Sequence, residues 1–179
     1  MTDSAATSHV SGNTPTPQTS ERAEGGGPSD LFDQLCARWD RETELLVAEG
    51  TANSPIVVLL PRDADADEVP IRLDGLRGNL AERGPALVAE IRPTAAQHDP
   101  AGLVFIAQLR LGALPALPGA DETVVVYVSL GAPAWRRAHA FAVRRPLTGP
   151  VKLSRLPDDP DVGMFDWLDA LLQPVARKV

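Results

Sequence analysis

Acidic residues are missing from one long stretch of an otherwise acidic chain. From Thr123 to Pro157 there is no Asp or Glu, while Arg136, Arg137, Arg144, Arg145, Lys152 and Arg155 give the stretch a charge of +6. The 179-residue chain has a formal net charge of −7, so everything outside the stretch carries −13. Like charges held close together cost energy unless something neutralises them. The strip is therefore either a docking place for an acidic partner or the counter-charge of the protein's own acidic segments.

Other absences set further bounds. Aromatic residues make up only 4% of the chain, so a core must be built mainly from Val, Leu, Ile and Ala. Cys36 is the single cysteine, which excludes an internal disulfide and a multi-cysteine metal site and favours a reducing compartment. Lysine is nearly absent: Lys152 and Lys178 stand against 15 arginines. That imbalance reads as the bias of a GC-rich bacterial coding sequence, so a count of arginines overstates functional intent. The longest mainly apolar stretch, Thr123 to Trp135, is shorter than the ~20 residues a membrane helix needs. The first 18 residues lack the basic and apolar regions of a secretory signal. A pI near 4.9 argues against a general nucleic-acid binder. These features predict a soluble, cytoplasmic protein.

Residues 1–29 are mostly Ser, Thr, Gly and Pro, with Val10 as the only large apolar residue; they are expected to be a disordered tail. A domain is expected over residues 30–175. Ser29-Asp30 can cap a helix in which Leu31, Phe32, Leu35, Trp39 and Leu46 recur at helical steps, with Gly50 closing it. Ile56 to Leu60 (IVVLL) suits a strand buried on both faces. Val69, Ile71 and Leu73 alternate with Pro70, Arg72 and Asp74 in a half-exposed strand. Pro70 places that strand at an edge, since proline cannot donate a ladder bond. The acidic turn Arg62 to Glu68 should join the two as a hairpin.

Between Leu76 and His98 the pattern predicts two helices, the first ending at Gly84 and the second starting at Pro85, with Pro93 kinking or ending it. A strand at Ala86 to Ile91 is the alternative. Leu103 to Leu111, Thr123 to Leu130 and Ala134 to Arg145 then read as strands, with Val151 and Leu153 in a short last one. In the third of these, Trp135, Arg137, His139, Phe141 and Val143 share one face. Asp161 can cap a final helix carrying Met164, Trp167, Leu168, Leu171 and Leu172. The fold class is α+β: a largely antiparallel sheet of about five strands with an N-terminal helix, central helices and a C-terminal helix.

Candidate chemistry is sparse. Alternation puts Arg136 and Arg144 on one face of their strand and Arg137 and Arg145 on the other, so the strand alone makes no flat basic patch. Asp63, Asp65 and Asp67 resemble half a calcium loop, but Glu68 stands where the turn needs Gly, and an acidic hairpin turn is expected. His98-Asp99 is a dipeptide, not a motif. No nucleophile elbow, phosphate-cradling loop or dinucleotide fingerprint is present. Cys36 sits beside core positions as a structural thiol. The chain is expected to hold no catalytic residue, metal or cofactor.

The expected role is a non-catalytic interaction or accessory protein contacting an acidic or hydrophobic protein partner. The contact would use the basic hairpin, the C-terminal helix or both, through Arg136, Arg137, Arg144, Arg145, Lys152, Arg155, Phe165 and Trp167. The alternative is an enzyme, metal-dependent, built on His98, Asp99 and His139. A weak nucleic-acid binder comes third, and the oligomeric state stays open.

Overall fold

The computed structural model describes residues 28–50, 54–63, 65–74, 80–108, 122–131 and 135–173. The expected tail lies outside the described residues up to residue 27, and its last two residues, Pro28 and Ser29, belong to a helix; Leu76, Leu111 and Ala134 also lie outside the described residues. Helix α1 (Pro28–Ala48) is followed by strands β1 (Ile56–Leu60) and β2 (Val69–Arg72), helix α2 (Leu80–His98), and strands β3 (Gly102–Gln108), β4 (Glu122–Leu130), β5 (Trp135–Arg144) and β6 (Lys152–Arg155). A C-terminal helical segment closes the order: a 3-10 turn at Val162–Phe165, helix α3 (Asp166–Asp169) and a second 3-10 turn at Ala170–Leu172. No helix among the described residues is long and apolar enough to cross a membrane.

All six strands form one antiparallel sheet in the order β2-β1-β3-β4-β5-β6. The class is α+β, as the grouping of strands joined by short turns predicts. The β1–β2, β3–β4, β4–β5 and β5–β6 neighbours are consecutive in sequence. The one longer connection carries α2 from β2 at the edge to β3, across β1.

Alternation along the strands splits the core in two. On one face Ile56, Val58, Val104, Ile106, Val124, Val126, Val128, Phe141 and Val143 meet Phe32, Cys36, Trp39 and Val47 of α1. On the other, Val57, Leu59, Leu103, Phe105, Val125, Tyr127 and the alanines 138, 140 and 142 meet Leu87, Val88, Ile91 and Ala95 of α2 and Phe165, Leu168, Leu171 and Leu172 of the C-terminal segment. β1 is buried along its whole length, because it is interior in the sheet and covered on both sides. The small face of β5 is small because helices press on it.

Residues 80–98 form one helix, which corrects the expected break at Gly84 and the alternative strand at Ala86–Ile91; Pro93 does not end it. Both prolines lie on the exposed side. Two interior prolines cost about 6 kcal/mol together. Burying Leu87, Val88 and Ile91 returns about 4.5–9 kcal/mol, so the packed face offsets the lost bonds. Gly84 is not a terminator either. A Cβ there would fall 2.7 Å from Cγ of Trp167, so the bare backbone is what lets the indole lie on α2. Trp167 then meets Phe105 edge-on at 5.8 Å.

The α1 helix starts one residue before the expected cap and ends ahead of Gly50, which takes a φ of +73°. Its inward row runs Phe32, Cys36, Trp39, Thr43 and Val47, while Leu31 and Leu45 stay exposed. Thr43 is tolerated in the row because its hydroxyl donates to the Trp39 carbonyl at 2.7 Å.

Candidate interaction surface

Strand β5 brings the cations to the sheet and then divides them between its two faces. Arg136 reaches Asp166 and, at 3.1 Å, Asp169 in the C-terminal segment. Arg137, one residue on, reaches Asp33 of α1 at 2.7 Å and lies over the Phe32 ring at 5.3 Å. Arg145 makes a two-pronged contact with Glu122 of β4 at 3.0 and 3.2 Å. Arg155 holds both oxygens of Asp159 at 3.0 and 2.9 Å. Four of the six cations therefore carry carboxylates of the protein itself. Arg136 and Arg137 fasten the sheet to its two helical layers, Arg145 ties β4 to the end of β5, and Arg155 holds the segment that follows β6. Arg144 also has interactions within the protein.

Asp169 does more than meet Arg136. Its Oδ1 accepts from Tyr127 at 2.9 Å and from Ser129 at 3.0 Å, two hydroxyls buried on the same face. Burial, and next the Asp169 charge, push the Tyr127 phenol well above its ordinary range. This cluster locks the C-terminal segment onto β4 and β5. Within that segment Phe165, expected to face a partner, is 1% exposed and stacks on Tyr127 at 4.8 Å. Trp167 is half-buried over Gly84. The 3-10 turn is the reason. Asp161 accepts from the Gly163 N–H at 2.9 Å and starts a turn that rotates Phe165 inwards and leaves Met164 outside.

On the α1 face His139 is buried, with Nδ1 2.9 Å from both oxygens of Asp40. Carboxylate oxygens accept, so Nδ1 carries the proton. Among the described residues His139 Nε2 has no hydrogen-bond partner, and it is buried. His98 ends α2 on the opposite face and lines a small cavity of about 70 Å³ with Leu60, Asp67 and Pro100. His98 and His139 thus do not meet. Asp99, beside His98, is held by Arg62 at 3.0 Å. In the acidic turn, Asp63 accepts from the Asp65 N–H at 3.1 Å and Glu68 holds Arg38 of α1, which ties the hairpin to the first helix. No group of three or more metal-ligating side chains occurs among the described residues. Burial raises the Cys36 thiol to about 11, which leaves it protonated and inert near neutral pH.

The two outer strands differ in a way that sequence alone does not reveal. The Leu73 N–H donates to the Pro55 carbonyl at 2.8 Å, in the β1–β2 register. Hydrogen-bonded pairs alternate in an antiparallel ladder, so Val69 and Ile71 bond to β1, and Pro70 and Arg72 turn their main chain outwards. Pro70 removes the N–H at an outward position. At the other edge, the Leu156 N–H donates to the Ala140 carbonyl at 2.8 Å. The same count bonds Lys152 and Ser154 to β5 and turns Leu153 and Arg155 outwards, each with its N–H. Among the described residues no strand lies beyond β6.

A groove of about 460 Å³ runs between that edge and the second half of α1, lined by Glu44, Leu45, Ala48, Val151, Lys152, Leu153 and Ser154. Leu45 is 57% exposed, and Leu147, in the β5–β6 loop, is wholly exposed at the end of the same hairpin. Lys152 makes no ion pair among the described residues. Among the described residues the β6 edge is therefore an open ladder with an apolar flank and one uncommitted cation. The site was half legible: Lys152 stands out in the charge pattern, but the groove depends on where α1 lies.

No protein-family model, no curated protein and no solved structure matches the chain.

Proposed function

We propose that the protein is a non-catalytic, cytoplasmic interaction module that receives a segment of a protein partner along the β6 edge. The observation that carries this reading is the asymmetry of the two edges. β2 is blunted by Pro70, whereas β6 keeps outward N–H groups beside an apolar groove. Exposed edges invite pairing and are ordinarily blunted, and β6 is guarded by its four-residue length and the charges of Lys152 and Arg155 but not by a missing donor. Adding a strand to such an edge is a recurrent way of binding extended peptides. The arginines of the hairpin enter this reading as fasteners, and the contact residues become Lys152, Leu153, Leu45 and Leu147. A nucleic-acid surface is disfavoured, since the cations that would neutralise phosphates already hold carboxylates.

The test is affinity capture from the native host with the full chain, read by mass spectrometry, beside Leu153→Pro and Lys152→Glu variants with unchanged circular dichroism. Leu153→Pro removes an outward donor without touching the β5 ladder. A partner recovered with the wild type and lost with Leu153→Pro is expected; partners retained by both variants would remove β6 as the docking edge.

A further inference from the structure

Resting on that reading, we infer the chemistry of the segment that the β6 edge accepts: an extended stretch of a partner protein in which acidic and aliphatic residues alternate. The two sides of the edge differ, and an incoming strand presents alternate side chains to each. The register pairs Val143 with Leu153 and Phe141 with Arg155, which places Leu153 on the α1 side together with the groove. Side chains entering there meet Leu45, Ala48, Val151 and Leu153. Glu44 stands on the groove wall and disfavours a second carboxylate, and Arg155, on the same side by the register, is already held by Asp159, so this side selects uncharged aliphatic residues.

The opposite side carries Lys152 and Ser154, with Lys152 directly opposite Arg144 across the β5–β6 ladder. Lys152 makes no ion pair among the described residues, and like charges on neighbouring strands repel. A carboxylate on the next strand falls within reach of Lys152 and neutralises it, whereas a basic side chain would meet a like charge. The main chain of Leu153 and Arg155 supplies the ladder bonds.

A second copy of the chain suits the edge less well. Antiparallel pairing of two β6 strands keeps like faces together. It would set a second Lys152 and Ser154 beside the first pair, adding charge of the same sign and no carboxylate.

The experiment uses the full chain and blocked ten-residue peptides of alternating Glu and Val, with Lys/Val peptides as the control. Binding is followed by fluorescence anisotropy and by amide shifts in a ¹⁵N–¹H spectrum. Glu/Val peptides are expected to bind, to move the amides of residues 151–155, and to lose at least about tenfold in affinity with Lys152→Glu. The Lys/Val peptide is expected to gain with the same exposed variant, which leaves every ladder bond in place. Equal binding of both peptides, or shifts confined to the β2 edge, would overturn the inference. Self-association of the free chain that vanishes in Leu153→Pro would assign the edge to a second copy and overturn it too. If host partners are lost with Leu153→Pro while Glu/Val peptides fail to bind, the peptide chemistry is wrong and the docking edge stands. If Leu153→Pro retains every partner, both fall.

Discussion

The two faces of the sheet are closed by different means. One is covered by a single continuous helix, α1, which adds to its apolar row two polar contacts with β5, Arg137–Asp33 and His139–Asp40. The other is covered by two pieces from distant parts of the chain, α2 and the C-terminal segment. There the polar contacts converge on one carboxylate, Asp169, which serves Tyr127, Ser129 and Arg136 together. The aromatics divide evenly, with Phe32, Trp39, Trp135 and Phe141 on the α1 face and Phe105, Tyr127, Phe165 and Trp167 on the other. The difference lies in where they come from. On the α1 face they belong to one long helix and to β5. On the other face α2 brings none among the described residues, and the C-terminal segment brings Phe165 and Trp167, because short helical turns need large side chains to hold them in place.

The comparison predicts where the protein is most easily broken. Phe165→Ala should cost about 3–5 kcal/mol, the range for a truncated core aromatic, because it empties the stack on Tyr127 and Phe105. Denaturant unfolding measures this, and a cost below about 1 kcal/mol would show that the C-terminal segment is not integral to the core. Asp169→Ala should cost about 2–3 kcal/mol, since two buried hydroxyls lose their acceptor at once. The equivalent change on the other face, Asp40→Ala, strips one imidazole contact, and unfolding of the two variants side by side should rank Asp169 first.

Gly84→Ala sets two effects against each other. Alanine favours a helix over glycine by ~1 kcal/mol. Its Cβ would press on the Trp167 ring, and overpacking of that kind costs about 1–3 kcal/mol. The rigid indole is expected to win, with a net loss near 1 kcal/mol in thermal or denaturant unfolding; a stabilised variant would mean that Trp167 moves freely.

Both faces also bury an acid that ionises above neutrality. The Cys36 thiol, on the α1 face, is raised from 9.0 to about 11 by burial. Between those values the unfolded chain gives up its proton and the folded chain keeps it, so stability falls as pH rises from about 9 to about 11. Cys36→Ala should flatten that part of the fall. Tyr127 on the opposite face, whose phenol is also shifted up, adds its own fall from its unfolded value of 10.0 upwards, and the Cys36 variant keeps that part. A curve identical in the Cys36 variant would contradict the buried thiol. The smallest effect is expected for Arg145→Gln, which breaks a partly exposed pair with Glu122. Such pairs contribute ~0–1 kcal/mol, and raising the salt concentration should shrink even that.

Much of the fold was legible from pattern. IVVLL at Ile56–Leu60 and TVVVYVSL at Thr123–Leu130 are β-branched runs whose burial on both faces follows from their uninterrupted apolarity. Pro70 announced an edge strand. The alanines of β5 marked a face pressed by helices. What failed was local punctuation: Gly84, Pro85 and Pro93 read as breaks, yet α2 runs through all three. Phe165 failed for a related reason, because i, i+3, i+4 spacing assumes an α-helix and the segment begins with a tighter 3-10 turn.

The sequence by itself determined the strands and their alternation, the division of β5 into an Arg136 side and an Arg137 side, and the surplus of positive charge between Thr123 and Pro157. These follow from residue periods of two and from composition, which need no partner to express them. Only the tertiary structure decided what that charge does. Asp159 lies four residues after Arg155 and is a local partner, but Asp33, Glu122, Asp166 and Asp169 come from three other parts of the chain, and no local rule brings them to the cations of the β4–β6 region. The same holds for the open edge. A ladder position faces inwards or outwards according to which neighbour it bonds, and that is settled by pairing across the sheet.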